Sequence, residues 1–104
     1  MNEAKKIIDQ FNKDRDWDQF HTPENLAKSI SIEAGELLEC FQWNSKYDRQ
    51  ELIEELADVQ AYCIMLAEKI DVDLEQIVLD KYKKNSEKYP VEKAKGVDTK
   101  YSKL

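Results

Sequence analysis

The 104-residue sequence is poor in the residues that make turns or covalent cross-links, with two glycines, two prolines and two cysteines. Scarce glycine and proline argue against a turn-rich β-protein, since tight turns depend on those residues. Cys40 and Cys63 are too few for a disulfide framework and lack the spacing of a zinc site. We therefore expect two reduced, buried thiols in a cytoplasmic protein.

Long apolar runs and an excess of positive charge are also missing. The longest apolar run, 61–67, has 7 residues, whereas a membrane span needs about 20. The N-terminal residues MNEAKKIIDQ lack the apolar core of a signal peptide. The formal net charge of −6 argues against binding a nucleic-acid backbone. We expect neither a membrane nor a nucleic-acid polymer as partner, and a metal between the protein and any anionic ligand.

Helical periodicity fills most of the chain, because apolar residues recur at the spacing of one helix face. Residues 91–104 break this pattern and contain four lysines. The sequence predicts an all-α, antiparallel four-helix bundle in residues 1–90 and a basic tail in residues 91–104. The four predicted helices cover about residues 2–14, 23–43, 49–70 and 74–90. Thr22, Asp48 and Asp73 are the predicted N-caps of the last three helices. Glu51 is the predicted capping-box partner of Asp48, and Gln76 that of Asp73.

Four acidic residues interrupt the predicted apolar faces. Glu33 falls inside the stripe of the second helix and Glu36 at its edge, while Glu55 and Asp58 flank the stripe of the third, beside Tyr62. A carboxylate that faces a core must be paired, protonated or metal-bound. Acidic pairs three residues apart are common by chance in so acidic a chain and usually form solvated surfaces. Their position on the apolar flank favours a divalent-cation site instead.

Basic, amide and aromatic residues form two further candidate sets. The apolar face of the fourth helix turns polar in its C-terminal half, through either fraying of the stripe or a phosphate held on a metal. Several aromatic rings lie in loops, where they either cap the core or stack on a nucleobase. The first set is Lys81, Asn85 and Lys88; the second is Trp17, Phe20, His21 and Trp43.

With these residues in place, the sequence resembles the MazG-like all-α nucleoside triphosphate pyrophosphohydrolases over about residues 11–90. The family's cation motif is present as Glu33-Ala-Gly-Glu36 and Glu55-Leu-Ala-Asp58, separated by 18 residues. The segments RDWDQFHTPENL, ELLECFQW and KNSEKYP are most similar to the dCTP pyrophosphatase branch. Many relatives carry two adjacent acids at the start of the first motif, whereas Ile32 precedes Glu33 here and leaves Glu39 as a further acid near the ligands.

The resemblance implies cleavage of a (d)NTP, dCTP or modified dCTP above all, to the monophosphate and pyrophosphate in nucleotide-pool house-cleaning. Mg²⁺, with Mn²⁺ as a possible substitute, would be the cofactor, and Glu36 or Glu33 the general base. The implied metal ligands are Glu33, Glu36, Glu55 and Asp58. The implied nucleoside contacts are His21, Trp43 and Tyr62, with Trp17 and Phe20 shaping the pocket. The implied phosphate contacts are Lys81, Asn85 and Lys88.

Two other functional classes are alternatives to a pyrophosphohydrolase. A non-catalytic helical interaction module would use the acidic edge for solubility alone. A ferritin-like di-iron bundle requires Glu-x-x-His on each of two helices, whereas the single histidine, His21, lies outside both acid-bearing helices. One short chain cannot cover both a metal cleft and its own bundle edges, so we expect a homo-oligomer, either dimer or tetramer, whose base pocket a neighbouring subunit completes.

Overall fold

A computed structural model describes residues 2–103, and every regular element in that range is helical, which confirms the predicted all-α class. None of the helices in this range has the length and apolarity needed to cross a membrane. The elements are α1 (Asn2–Asp14), a 3-10 turn (Asp18–Phe20), α2 (Pro23–Glu39), α3 (Arg49–Lys69), α4 (Leu74–Lys88), α5 (Val91–Ala94) and a second 3-10 turn (Tyr101–Lys103).

The three predicted N-caps are confirmed, because each side chain accepts a hydrogen bond from a free backbone N–H of the first helical turn. Gln76 departs from the predicted capping box: its side-chain amide donates to Asp80 Oδ1 at 2.9 Å, one turn further along α4. The capping bonds run from Asn25 N to Thr22 Oγ1 at 3.1 Å, from Glu51 N to Asp48 Oδ1 at 3.0 Å, and from Glu75 N to Asp73 Oδ1 at 3.0 Å.

Two predicted boundaries differ from the structure. α2 ends at Glu39 rather than near Trp43. The backbone tightens there, since Phe41 N donates to Leu38 O and Gln42 N to Glu39 O, both at 3.0 Å and both three residues back along the chain. The segment 91–104, predicted as an irregular tail, contains the single turn α5 and the second 3-10 turn.

The chain divides into two compact units between Val72 and Asp73. In the first unit α2 and α1 each pack against α3. Both pairs are antiparallel, because the residue numbers rise along one helix as those of their contacts fall along the other. On α2, Ser29 contacts Tyr62 whereas Cys40 lies beside Glu51. On α1, Asn12 Nδ2 contacts Met65 Sδ at 3.6 Å and Asp9 contacts Glu68.

The hydrophobic core of the described residues is small. Its apolar members are Leu26, Ile64 and Ala67. Leu56, predicted to face the core, is 56% exposed, because α1 pairs only with the C-terminal half of α3 and leaves the N-terminal half uncovered on that side. Cys40 and Cys63 are free, as predicted, but half-buried rather than buried.

Candidate active site

Carboxylates from α2 and α3 converge at the middle of the antiparallel helix pair. One oxygen each from Glu33, Glu55 and Asp58 lies within 4.8 Å of the other two. The carboxyl group of Glu36, one turn beyond Glu33 on α2, lies close enough to Glu33 and Glu55 to raise the pKa of both. The structure thus brings together all four acids that the two sequence motifs contain.

Burial and mutual repulsion make this cluster electrostatically unfavourable in its charged form. Burial is the largest cause that raises the pKa of Glu33 to about 7, followed by the hydrogen bond and the charge of Glu36. The pKa of Glu55 is raised for the same reasons, burial first and Glu36 second. Without a cation, the cluster therefore retains protons in a pH range where isolated carboxyls are ionised.

The arrangement fits a hard divalent cation. The Oε2 atoms of Glu33 and Glu55 are buried and have no hydrogen-bond partner within the described residues, and such unsatisfied buried oxygens are rare in folded proteins. All donors in the cluster are carboxylate oxygens, the ligands preferred by Mg²⁺. Asp58 is exposed, so the group is open to solvent on one side and could receive a further ligand there.

Tyr62 continues this face of α3 one turn beyond Asp58. Its side chain is half-buried and hydrogen-bonds to Ser29 of α2. Burial, followed by the charges of Glu33 and Asp58, raises the pKa of the phenol, so Tyr62 keeps its proton at neutral pH. It lies next to the acid cluster, as the predicted nucleoside contact requires.

A cavity of about 330 Å³ opens further along the same helices. Of the predicted nucleoside residues only His21 lines it. Asn12 and Glu68 line the cavity but were not predicted as site residues. The signal for Asn12 was available in the sequence, because this polar residue follows Ile8 by four residues and so occupies a core position on the apolar stripe of α1. The lining residues are Asp9, Asn12, Lys13, Asp18, His21, Leu26, Met65, Glu68 and Lys69.

Trp17, Phe20 and Trp43, three other aromatic residues predicted near the nucleoside, lie outside this cavity. Trp17 packs edge-on against Phe11, with ring centroids 5.6 Å apart, and neither Trp17 nor Phe20 lines the cavity. Trp43 is 86% exposed beyond the C-terminus of α2. Since α2 is about 25 Å long at 1.5 Å per residue, a single chain does not bring His21 and Trp43 to the same base.

The predicted phosphate contacts lie on α4 in the second unit, where their spacing places them on one helix face. Lys81 lines a cavity of about 200 Å³ together with Ile77, Asp80 and Lys84. Asn85 and Lys88 are half-buried. The role of all three at the phosphates stays a prediction.

A family model, curated relatives and a solved structure all relate this chain to MazG-like proteins or pyrophosphatases. The model of the MazG-like family matches residues 28–104. Mouse dCTP pyrophosphatase 1 is 38% identical over the whole of this chain, which covers 67% of that protein, and the human protein of the same name is 37% identical with the same coverage. The crystal structure of a pyrophosphatase from Archaeoglobus fulgidus is 40% identical, with a TM-score of 0.78 over 86% of this chain and 92% of that one.

Proposed function

The chain belongs to the MazG-like family, and on this premise we propose that it hydrolyses nucleoside triphosphates to the monophosphate and pyrophosphate, with dCTP or a modified dCTP as substrate. The mouse and human relatives are named for dCTP, and the archaeal neighbour is named a pyrophosphatase. The observation that carries the proposal is the convergence of Glu33, Glu55 and Asp58, with two buried oxygens that lack a hydrogen-bond partner in the part of the chain that the structure describes.

The acid cluster would hold Mg²⁺ or Mn²⁺ through Glu33, Glu36, Glu55 and Asp58. When bound, the ion would offset the negative charge of phosphate oxygens and lower the pKa of a bound water. The chain itself supplies a general base, for which Glu36 and Glu33 are the candidates because both belong to the cluster. A carboxylate there accepts the proton of the water that attacks the α-phosphorus, and pyrophosphate leaves.

The substrate contacts follow the axis of the helices. Tyr62 lies next to the acids and His21 lies at the cavity beyond it, so both are proposed to contact the nucleoside, and Trp17 and Phe20 to shape its surroundings. Lys81, Asn85 and Lys88 are proposed to contact the phosphates, where two ammonium groups would offset negative charge.

Trp43 is proposed to reach the base of a neighbouring copy, because its own chain holds it at the opposite end of α2 from His21. Its 86% exposure and the small core both favour burial against another subunit. The proposed fold is an antiparallel four-helix bundle of one chain, and the proposed assembly is a cytoplasmic homodimer or homotetramer of such chains.

A pyrophosphate-release screen tests the proposed function. The purified protein is incubated with each standard nucleoside triphosphate and with 5-substituted dCTP, with Mg²⁺, with Mn²⁺ and with EDTA. Release of pyrophosphate from dCTP, dependent on the metal, is the expected result. A helical interaction module would release none from any nucleotide, and its melting temperature would not respond to either metal.

A further inference from the structure

Asn12 is a buried polar residue at the wall of the cavity between α1 and α3. Its side chain lines the cavity of about 330 Å³, and the residue is only 3% exposed. Among the described residues its side-chain amide makes one hydrogen bond, from Nδ2 to the sulfur of Met65 at 3.6 Å, and a thioether is a weak acceptor. Amides at so buried a position usually bond to a strong partner, and a ligand in the cavity would provide one.

Three carboxyl groups accompany Asn12 around the cavity. Glu68 of α3 makes a side-chain hydrogen bond with Asp9 of α1, and the charge of Asp18 also acts on it. The lining further includes two lysines on long, flexible side chains, and Leu26 and Met65 as apolar surface. Carboxylate and amide oxygens accept hydrogen bonds, so these carboxyl groups and the amide of Asn12 suit a flat ligand that carries N–H donors.

The position of the cavity relative to the acid cluster matches the dimensions of a nucleotide. Met65 follows Asp58 by seven residues on α3, and Leu26 precedes Glu33 by seven on α2, which places the cavity about 10 Å from the acids along both helices. The far edge of a pyrimidine lies at about this distance from the α-phosphorus of its nucleotide. Tyr62 and Ser29, hydrogen-bonded to each other, lie between the two regions.

We propose that this cavity receives the base of the substrate and that Asn12, Asp9 and Glu68 select a base with an exocyclic amino group, as in cytosine. The inference rests on the proposed function and adds the residues that determine specificity. Acceptor oxygens bind the amino group of cytosine, whereas uracil presents a carbonyl oxygen at the same place and leaves them without a donor. The volume lies at the lower end of the range for ligand pockets, which suits a single ring.

The test uses two variants that remove the proposed acceptors. Glu68→Gln replaces an exposed carboxyl by an amide that can also donate to a carbonyl, and Asn12→Leu removes the buried amide while keeping the branched shape of the side chain. For both, kcat/KM is measured for dCTP and dUTP, and calorimetry measures the binding of deoxycytidine and deoxyuridine. Glu54→Gln, an exposed position on α3 outside the cavity, is the matched control.

We expect the dCTP-to-dUTP ratio of kcat/KM to fall about tenfold or more in Glu68→Gln and in Asn12→Leu, with no change in Glu54→Gln. An unchanged ratio in both variants of an active enzyme would overturn the inference. If no nucleotide is hydrolysed but deoxycytidine binds and both variants lose it, the proposed function is wrong and the cavity assignment stands. If the wild-type protein binds neither nucleoside and shows no dCTP preference, the cavity assignment is wrong.

Discussion

Glu33 and Glu55 each bury one carboxylate oxygen, Oε2, that has no hydrogen-bond partner within residues 2–103, and the nearby carboxyl group of Glu36 raises the pKa of both. An unpaired buried charge costs several kcal/mol, so these oxygens need either a proton or a cation. A neutral pair, such as Gln with Leu, would stabilise the same helix contact at lower cost. We therefore attribute these acids to the proposed metal site rather than to helix packing.

Divalent cations should stabilise the folded protein, because they bind the acid cluster only when α2 and α3 are packed together. At a Mg²⁺ or Mn²⁺ concentration 100 times the Kd, the free energy of unfolding should rise by about 2.7 kcal/mol. Calorimetric melting with and without the metal measures the gain. Glu55→Gln and Asp58→Asn should lose most of it and Glu54→Gln should keep it, whereas an equal gain in all four proteins would place the metal elsewhere.

Glu36→Gln should abolish pyrophosphate release while the helical circular dichroism spectrum stays unchanged. The amide is almost isosteric but can neither accept the proton of an attacking water nor contribute a charged ligand. A separate measurement of metal affinity distinguishes the two roles: tight binding without turnover indicates the general base. Turnover close to the wild-type rate would remove Glu36 from the mechanism and leave Glu33 as the candidate.

Stability of the metal-free protein should fall as the pH rises from about 4.5 to about 7. The pKa of Glu33 is raised from 4.5 to about 7 in the fold, so its contribution is complete below pH 4.5, where both folded and unfolded chains hold the proton. Above that value the unfolded chain releases the proton first and the contribution is progressively lost. The raised pKa of Glu55 acts in the same direction.

Melting temperatures in EDTA across this pH range give the measurement, and Glu33→Gln is the informative variant because it cannot titrate. Its melting temperature should depend less on pH than that of the wild type, whereas Glu54→Gln should follow the wild-type curve. Parallel curves for the wild type and Glu33→Gln would contradict the assignment of the proton to Glu33.

Asp71→Gly should stabilise the protein by about 0.5–1 kcal/mol. Asp71 follows Ile70, the C-cap residue of α3, and has a positive φ of 57°, and Val72 N donates to Ala67 O at 2.9 Å across this turn. Glycine adopts that conformation without the steric cost of a Cβ atom. Asp71→Ala is the matched control and should be less stable than the wild type; chemical denaturation compares the three. The reverse order of Gly and Ala would show that φ does not limit stability here.

Trp43 should report self-association, because its indole is 86% exposed on one chain and is proposed to be covered by another. In Trp17→Phe, Trp43 is the remaining tryptophan of the two. Its fluorescence should be blue-shifted at high protein concentration and should shift to the red on dilution, in parallel with a fall in mass by sedimentation. A monomeric mass at every concentration, with red-shifted emission throughout, would exclude the proposed neighbour.

Local sequence determined the helices and their starts. Thr22, Asp48 and Asp73 accept backbone hydrogen bonds from residues two or three positions ahead, and an interaction of such short range can be predicted from the sequence alone. Periodicity likewise placed Glu33 and Glu55 on or beside apolar stripes. The acid motifs were predictable because one helical turn brings residues three apart to the same side.

Tertiary structure decided which predicted faces are buried and which side chains meet. The antiparallel register of α2 against α3 brings Glu33 to Asp58, and the pairing of α1 with the C-terminal half of α3 places Asn12 and Glu68 at one cavity. The same pairing exposes Leu56, which the pattern of α3 alone predicts to be buried. Helical periodicity specifies the direction of a side chain but not which residues of another helix lie opposite it, so burial and the cavity depended on the packing of whole helices.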